Sequence, residues 1–172
     1  FEGGIVSYVQ YLNRGEEVKH HNIFYANKEH EGIQVEVALQ YIEELSTREM
    51  GFANNVHTIE GGMHITGFRS AITRLLNDYA RKNGYLKEKE DNLTGEDIRE
   101  GMTAVILVRI KSQDLQFEGQ TKGKLGNPEA RTAVETIVGA EFADWLERNP
   151  LDGRQMIEKV ILASKARLAA RA

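Results

Sequence analysis

Residues 103–110 constrain the fold more than any other stretch of this chain. They read Thr103, Ala104, Val105, Ile106, Leu107, Val108, Arg109 and Ile110, apolar on both sides of the backbone. A short run with no polar alternation belongs to a central strand covered on both faces. A second strand differs in kind. Ile33, Val35, Val37, Leu39 and Tyr41 alternate with Gln34, Glu36, Ala38 and Gln40, which predicts one buried and one wet face. Residues 23–28 form a first strand, and Glu29, His30, Glu31 and Gly32 form the hairpin turn between the two. Residues 52–57 make a shorter strand.

The helices announce themselves by spacing. Ile5, Tyr8, Val9 and Leu12 mark a short one, with Gly15 close after it. Gly61 and Gly62 lead into a long helix whose stripe is Ile65, Phe68, Ala71, Ile72, Leu75, Leu76 and Tyr79, ending at Gly84. Arg69, Arg74, Asp78, Arg81 and Lys82 lie largely off that stripe. Residues 87–92 are charged and read as a mobile surface loop. Thr94 followed by Glu96 and Asp97 is an N-cap with acids in the first turn. Asn127, Pro128 and Glu129 open another helix as N-cap, N1 proline and first-turn acid. Its core positions are Val134, Ile137, Val138, Phe142, Trp145 and Leu146, with Asn149 and Pro150 closing it. Asp152 begins the last helix.

This order gives three strands, a helix, a fourth strand and then helices. The fold class is α/β (α+β): a small four-stranded mixed sheet with helices packed mainly on one face. The long helix between the third and fourth strands makes a βαβ crossover, for which the general rule is a right-handed path. The core occupies residues 1–150, and residues 151–172 form a C-terminal helix leading toward a next domain. The 172 residues suit one domain or one domain with an extension. With no cysteine there is no disulfide framework and no thiolate metal site. A net charge of −4 argues against a general nucleic-acid binder. No apolar run reaches the length of a membrane span. The first residue is Phe1 rather than methionine, which reads as an excised fragment.

The chemistry concentrates at Phe117-Glu118-Gly119-Gln120-Thr121-Lys122-Gly123-Lys124-Leu125-Gly126-Asn127. Glycines free its backbone, and two lysines, an amide and a hydroxyl can donate to an anion. A glycine-rich loop with lysines beside a helix start suits phosphate. The spacing is not that of a P-loop, and on chemistry alone a solvated hairpin or linker loop is the commoner reading. Elsewhere His20, His21, His30, His57 and His64 match no familiar zinc spacing, so no metal is expected. Asn54 and Asn55 read as turn or strand-end hydrogen bonders. Lys159, Lys165, Arg167 and Arg171 read as a solvated basic face. No Ser/His/Asp or Cys/His arrangement stands out.

Several runs occur in a telling order. They are Phe1-Glu2-Gly3-Gly4-Ile5, Phe52-Ala53-Asn54-Asn55-Val56-His57-Thr58, Glu60-Gly61-Gly62-Met63-His64, Gly67-Phe68-Arg69, Arg99-Glu100-Gly101-Met102-Thr103-Ala104-Val105 and the Phe117 to Asn127 loop. Together they resemble the transducer domain of the B subunits of DNA gyrase and topoisomerase IV, the type IIA topoisomerases. The resemblance covers nearly the whole chain, with departures at Met63 and Gly123. It implies the transducer fold with a left-handed βαβ crossover, against the general rule.

By the same resemblance, the domain follows a GHKL ATPase domain and precedes a TOPRIM domain. Gln120 and Lys122 match a loop that contacts the γ-phosphate of ATP in the neighbouring ATPase domain, with Lys122 the catalytic member. Arg69 matches an arginine facing the cavity through which double-stranded DNA passes. ATP and Mg2+ would be bound mainly by the ATPase domain, with no cofactor in the isolated fragment. The partners implied are a second gyrase-B-type chain, an A-type subunit and double-stranded DNA, in the bacterial cytoplasm at the nucleoid and away from membranes. The competing reading is a stand-alone anion- or nucleotide-binding module built on the Gly119 to Gly123 loop.

Overall fold

The computed structural model describes residues 3–118 and 123–171. In chain order the elements are α1 (Gly4–Leu12), β1 (Phe24–His30), β2 (Ile33–Tyr41), β3 (Arg48–Ala53), β4 (Val56–His57), α2 (Met63–Lys82), α3 (Gly95–Arg99), β5 (Met102–Arg109), β6 (Phe117–Glu118), β7 (Lys124–Leu125), α4 (Pro128–Arg148) and α5 (Pro150–Arg171). One sheet has the order β1-β2-β5-β3-β4, and β6 with β7 forms a separate ribbon. β5 is central, antiparallel to β2 and parallel to β3.

The reason is the one the sequence suggests. Met102, Thr103, Ala104, Val105, Ile106 and Val108 are all fully buried. One face of the sheet meets α2, α4 and α5 through Phe68, Ile72, Leu76, Val134, Phe142 and Met156. The other face is covered by α1, whose Ile5 and Val9 pack on Ala38 and Val105.

That second cover changes the reading of β2. Its wet face lasts only over Gln34 and Glu36; Ala38 and Gln40 are buried. Gln40 is buried without loss because its Nε2 donates to His20 O at 3.0 Å and its Oε1 accepts from Asn13 Nδ2 at 3.0 Å. Asn13 in turn accepts from Thr103 Oγ1 at 2.6 Å. The end of α1 is thus bonded to both strands it covers.

The main sheet has five strands where four were expected, and the β6–β7 ribbon is additional. Residues 52–57 are not a strand but the tip of a hairpin, β3 turning into β4. Asn54 and Asn55 both take positive φ, 47° and 69°, which short polar side chains tolerate. The Asn54 side chain also exchanges bonds with Ile110, donating to its O at 2.7 Å and accepting from its N at 2.8 Å. The β1–β2 turn behaves as read: Glu31 and Gly32 have φ of 48° and 83°, the paired positive values of a tight hairpin.

Three further differences concern polar residues. The loop 87–92 is held by Arg81, which donates to Lys87 O at 2.9 Å, Glu90 O at 2.8 Å and Asn92 Oδ1 at 2.7 Å. The basic face of α5 is only partly solvated. Lys159 is buried and donates to Glu43 O at 2.9 Å, and Arg167 binds Asp97 through two bonds of 2.9 and 3.0 Å. The helix crosses the β2–β3 loop and α3, whose carbonyls and capping acid need those cations. Burial alone would raise the Asp97 carboxyl, but Arg167 and the Thr94 capping bonds hold it below the usual range. Finally, α5 begins at Pro150 rather than Asp152, because proline is suited to a first helical turn.

Candidate functional site

In sequence the glycine-rich loop joins β6 to β7. Phe117 pairs with Leu125 and Glu118 with Lys124, so residues 119–123 connect the two strands. Gln120 and Lys122, the two residues assigned to phosphate, lie outside the described residues. Their stem is described in full. Leu125 is fully buried and belongs to the main core. Asn127 is also fully buried, but it does not cap α4 with its side chain. Instead Oδ1 accepts from Gln116 N at 2.7 Å, and Nδ2 donates to Asp114 O at 2.6 Å and Glu129 Oε1 at 2.5 Å. The amide closes the base of the hairpin, because unpaired peptide groups there would be costly. Its bond to Glu129 is the main reason that carboxyl sits below its ordinary pKa.

Lys124, the other cation of the loop, faces Glu118 across the ribbon at 3.5 Å, with both side chains about half exposed. It is a cross-strand ion pair on the stem.

The far edge of β7 is taken by the residues before α2. Gly62 bridges Leu125 in parallel sense. Leu125 N donates to Gly61 O at 3.1 Å, and Glu60 N donates to Gly123 O at 2.8 Å. Below this junction lies His64, fully buried, with Nε2 2.9 Å from Thr58 Oγ1 and Nδ1 without a partner among the described residues. Burial pushes its imidazole down to about 4. His20, the other buried histidine, is also lowered by burial, partly offset by its bond to Asn22 O and by Asp152.

Arg69 stands on α2, off the apolar stripe as expected, with its side chain 46% exposed. It is not a bare cation. Nε contacts both oxygens of Glu49 at 3.1 and 3.2 Å, and Nη2 contacts Oε1 at 2.5 Å. The Glu49 side chain is only 8% exposed, so the pair neutralises a nearly buried acid. Nη1 stays without a bond among the described residues. Alongside runs a groove of about 610 Å³ lined by Arg69, Thr73, Arg74, Asp78, Arg81 and Asn92, among others. The site therefore places Arg69 well away from the ribbon tip in sequence but on the helix that the ribbon abuts.

Sequence reasoning missed Glu49 as the partner of Arg69 and residues 60–62 as the partner of β7. A strand acid facing a helix arginine has no local signature. The paired Gly61 and Gly62 were visible, but only as a turn.

The comparisons with known proteins agree with one another. A family model described as DNA gyrase B matches residues 4–172. DNA gyrase B of Bacillus mycoides is 51% identical over 171 residues, 99% of this chain and 42% of that protein. DNA gyrase B of Streptococcus pneumoniae serotype 4 is 52% identical over 171 residues, 99% of this chain and 26% of that protein. The chain thus spans less than half the length of these relatives. Among solved structures, the 43K ATPase domain of Thermus thermophilus gyrase B in complex with an aminocoumarin superposes with a TM-score of 0.89 at 39% identity, covering 99% of this chain and 45% of that one. The topoisomerase IV ATP-binding domain of Francisella tularensis in complex with a small-molecule inhibitor gives a TM-score of 0.80 at 27% identity, covering 98% and 44%.

Proposed function

The chain belongs to the DNA gyrase B family, and from that premise we propose that it is the energy-transducing domain of an ATP-dependent type IIA DNA topoisomerase. In this reading Gln120 and Lys122 reach the γ-phosphate of ATP held in a neighbouring ATPase domain. Lysine supplies a mobile point charge, and glutamine a neutral donor. A charge-assisted contact contributes about 1.5–3 kcal/mol, enough to shift a two-state equilibrium roughly tenfold to a hundredfold. Because the contact lasts only while the γ-phosphate is present, it favours one inter-domain arrangement and releases it on hydrolysis. Lys122 also stabilises charge on the transferring phosphoryl group, and Arg69 faces the path of the DNA duplex through contacts that carry no sequence information.

In this reading magnesium is held with ATP by the ATPase domain. The partners follow from the parent enzyme: the ATPase and TOPRIM domains, a second gyrase-B-type chain, an A-type subunit and double-stranded DNA. Among the described residues no helix is long and apolar enough to cross a membrane.

The observation that carries the proposal is the seating of the ribbon. The stem of the Gln120–Lys122 loop is fixed by the buried Leu125 and Asn127 and bonded to the start of α2. A sensor loop needs such a base if its displacement is to move anything else. A self-contained anion module needs no such link to the helix. The test is a distance measured by fluorescence transfer between a label at exposed Leu168 on α5 and one in the ATPase domain of a full-length gyrase B carrying this domain. A non-hydrolysable ATP analogue should change the distance, and Lys122→Ala should abolish the change. An unaltered response in Lys122→Ala would refute the sensor role.

A further inference from the structure

We propose that residues 60–62 are a positioning clamp on Gly123 and Leu125, the stem of the Gln120–Lys122 loop, and that they make the β6–β7 ribbon and the start of α2 move as one body. The proposal rests on the phosphate reading of Gln120 and Lys122 given above. It adds how a displacement of that loop is delivered to α2.

The contact is made of backbone. Glu60 N donates to Gly123 O, Leu125 N donates to Gly61 O, and Gly62 pairs with Leu125, so β7 has a partner on each edge. Residues 60–62 thereby act as a third strand of the ribbon. They lead without interruption into α2, whose next turn is bonded to them through Thr66 N and Gly62 O at 3.0 Å. Arg69 lies seven residues beyond Gly62, about two helical turns. On the other side Thr58 N donates to Gly51 O at 2.9 Å, which ties the clamp to β3. A shift at Gly123 therefore has a continuous hydrogen-bonded route to the helix that carries Arg69.

The two glycines do different jobs. Gly62 takes φ 129° and ψ −165°, a region almost reserved for glycine. A Cβ there would run into the backbone N and O of Leu125, so only glycine lets β7 approach. Gly61 also has positive φ, 82°, but a Cβ there would meet nothing closer than Ile65 at 3.9 Å. Alanine at Gly61 strains the turn and leaves the ribbon in place. Alanine at Gly62 must push the ribbon away. The neighbouring pair is thus a built-in comparison: both positions have positive φ, and only at Gly62 would a Cβ also block the approach of Leu125.

The experiment compares Gly62→Ala, Gly61→Ala and Lys122→Ala in a full-length gyrase B carrying this domain, at conditions where urea titration shows each to be folded. Gly62→Ala should lower the kcat of ATP turnover at least tenfold below Gly61→Ala, with nucleotide Kd changed less than threefold. A merely destabilised domain would not split kcat from Kd in this way. Equal turnover in Gly62→Ala and Gly61→Ala, with Lys122→Ala impaired, overturns the clamp and leaves the phosphate reading standing. Unimpaired turnover in Lys122→Ala overturns both. Where Gly62→Ala does not fold, amide exchange of the unmodified protein decides. The Glu60 and Leu125 amides should gain at least tenfold protection together on binding a non-hydrolysable ATP analogue, and unchanged exchange at either overturns the clamp.

Discussion

Acid should weaken this domain through its buried histidines, and the share of His64 can be isolated by substitution. His64 sits fully buried beneath the clamp, with Nε2 on Thr58 Oγ1 and Nδ1 unpartnered among the described residues. Protonation would bury both a charge and an unmatched N–H, so burial lowers its pKa from 6.5 to about 4 in the folded state. Between those values the unfolded chain binds the proton and the folded one does not. Stability is therefore fully present above pH 6.5 and falls as pH drops toward about 4, below which this contribution is lost. From pH 7 to pH 5 the loss from His64 is about 2 kcal/mol, and its full extent at lower pH is about 3 kcal/mol. For a chain of this size 2 kcal/mol corresponds to roughly 4–8 °C in Tm. The assay is urea unfolding at pH 7 and pH 5 for the unmodified chain and for His64→Gln. The variant should lose about 2 kcal/mol less than the unmodified chain over that interval. His20, lowered in the same direction by burial, contributes to the loss that remains in the variant. Equal losses in the two proteins would refute the reasoning.

Other outcomes follow from the same geometry. Gly67→Val should destabilise the chain by about 1–3 kcal/mol in urea unfolding, since a Cβ at Gly67 already meets Arg131 O of α4 at 2.6 Å. Arg69→Gln should cost about 1 kcal/mol, because it leaves the nearly buried Glu49 without its partner, and in the full-length enzyme it should weaken DNA stimulation of ATP turnover. Normal DNA stimulation in that variant would remove Arg69 from the DNA path. The purified chain alone should hydrolyse no ATP with magnesium above a Lys122→Ala control, and measurable turnover would count against the transducer reading.

The core was legible because its signals are periodic. The apolar run at residues 103–110, apart from half-buried Leu107 and exposed Arg109, and the stripes from Ile65 to Leu76 and Val134 to Leu146 are buried where spacing placed them. What failed was tertiary. The outer face of β2 reads as wet until α1 lies on it, and no window of residues 33–41 contains that fact. The strand at residues 52–57 was lost to Asn54 and Asn55, whose positive φ turns a seeming strand into a hairpin tip. Lys159 and Arg167 read as solvated because their partners, the carbonyls of Glu43 and Glu44 and the carboxylate of Asp97, are distant in sequence. At the candidate site the loop and Arg69 stood out as cations. Glu49 and the clamp did not, since an ion pair between strand and helix and a glycine that admits a neighbouring strand are properties of the assembled fold.

The central claim is that Lys122 senses the γ-phosphate, with Gln120 assisting, rather than the loop acting as a diffuse basic patch. ATP turnover by full-length gyrase B carrying single alanine substitutions tests it most directly. Lys122→Ala should lose most, since it removes a charge-assisted contact, and Gln120→Ala should lose less, since it removes a neutral one. Lys124→Ala should lose least, because Lys124 is paired with Glu118 on the stem. Should Lys124→Ala prove as damaging as Lys122→Ala at equal stability, generic positive charge would suffice and the sensor account would be wrong.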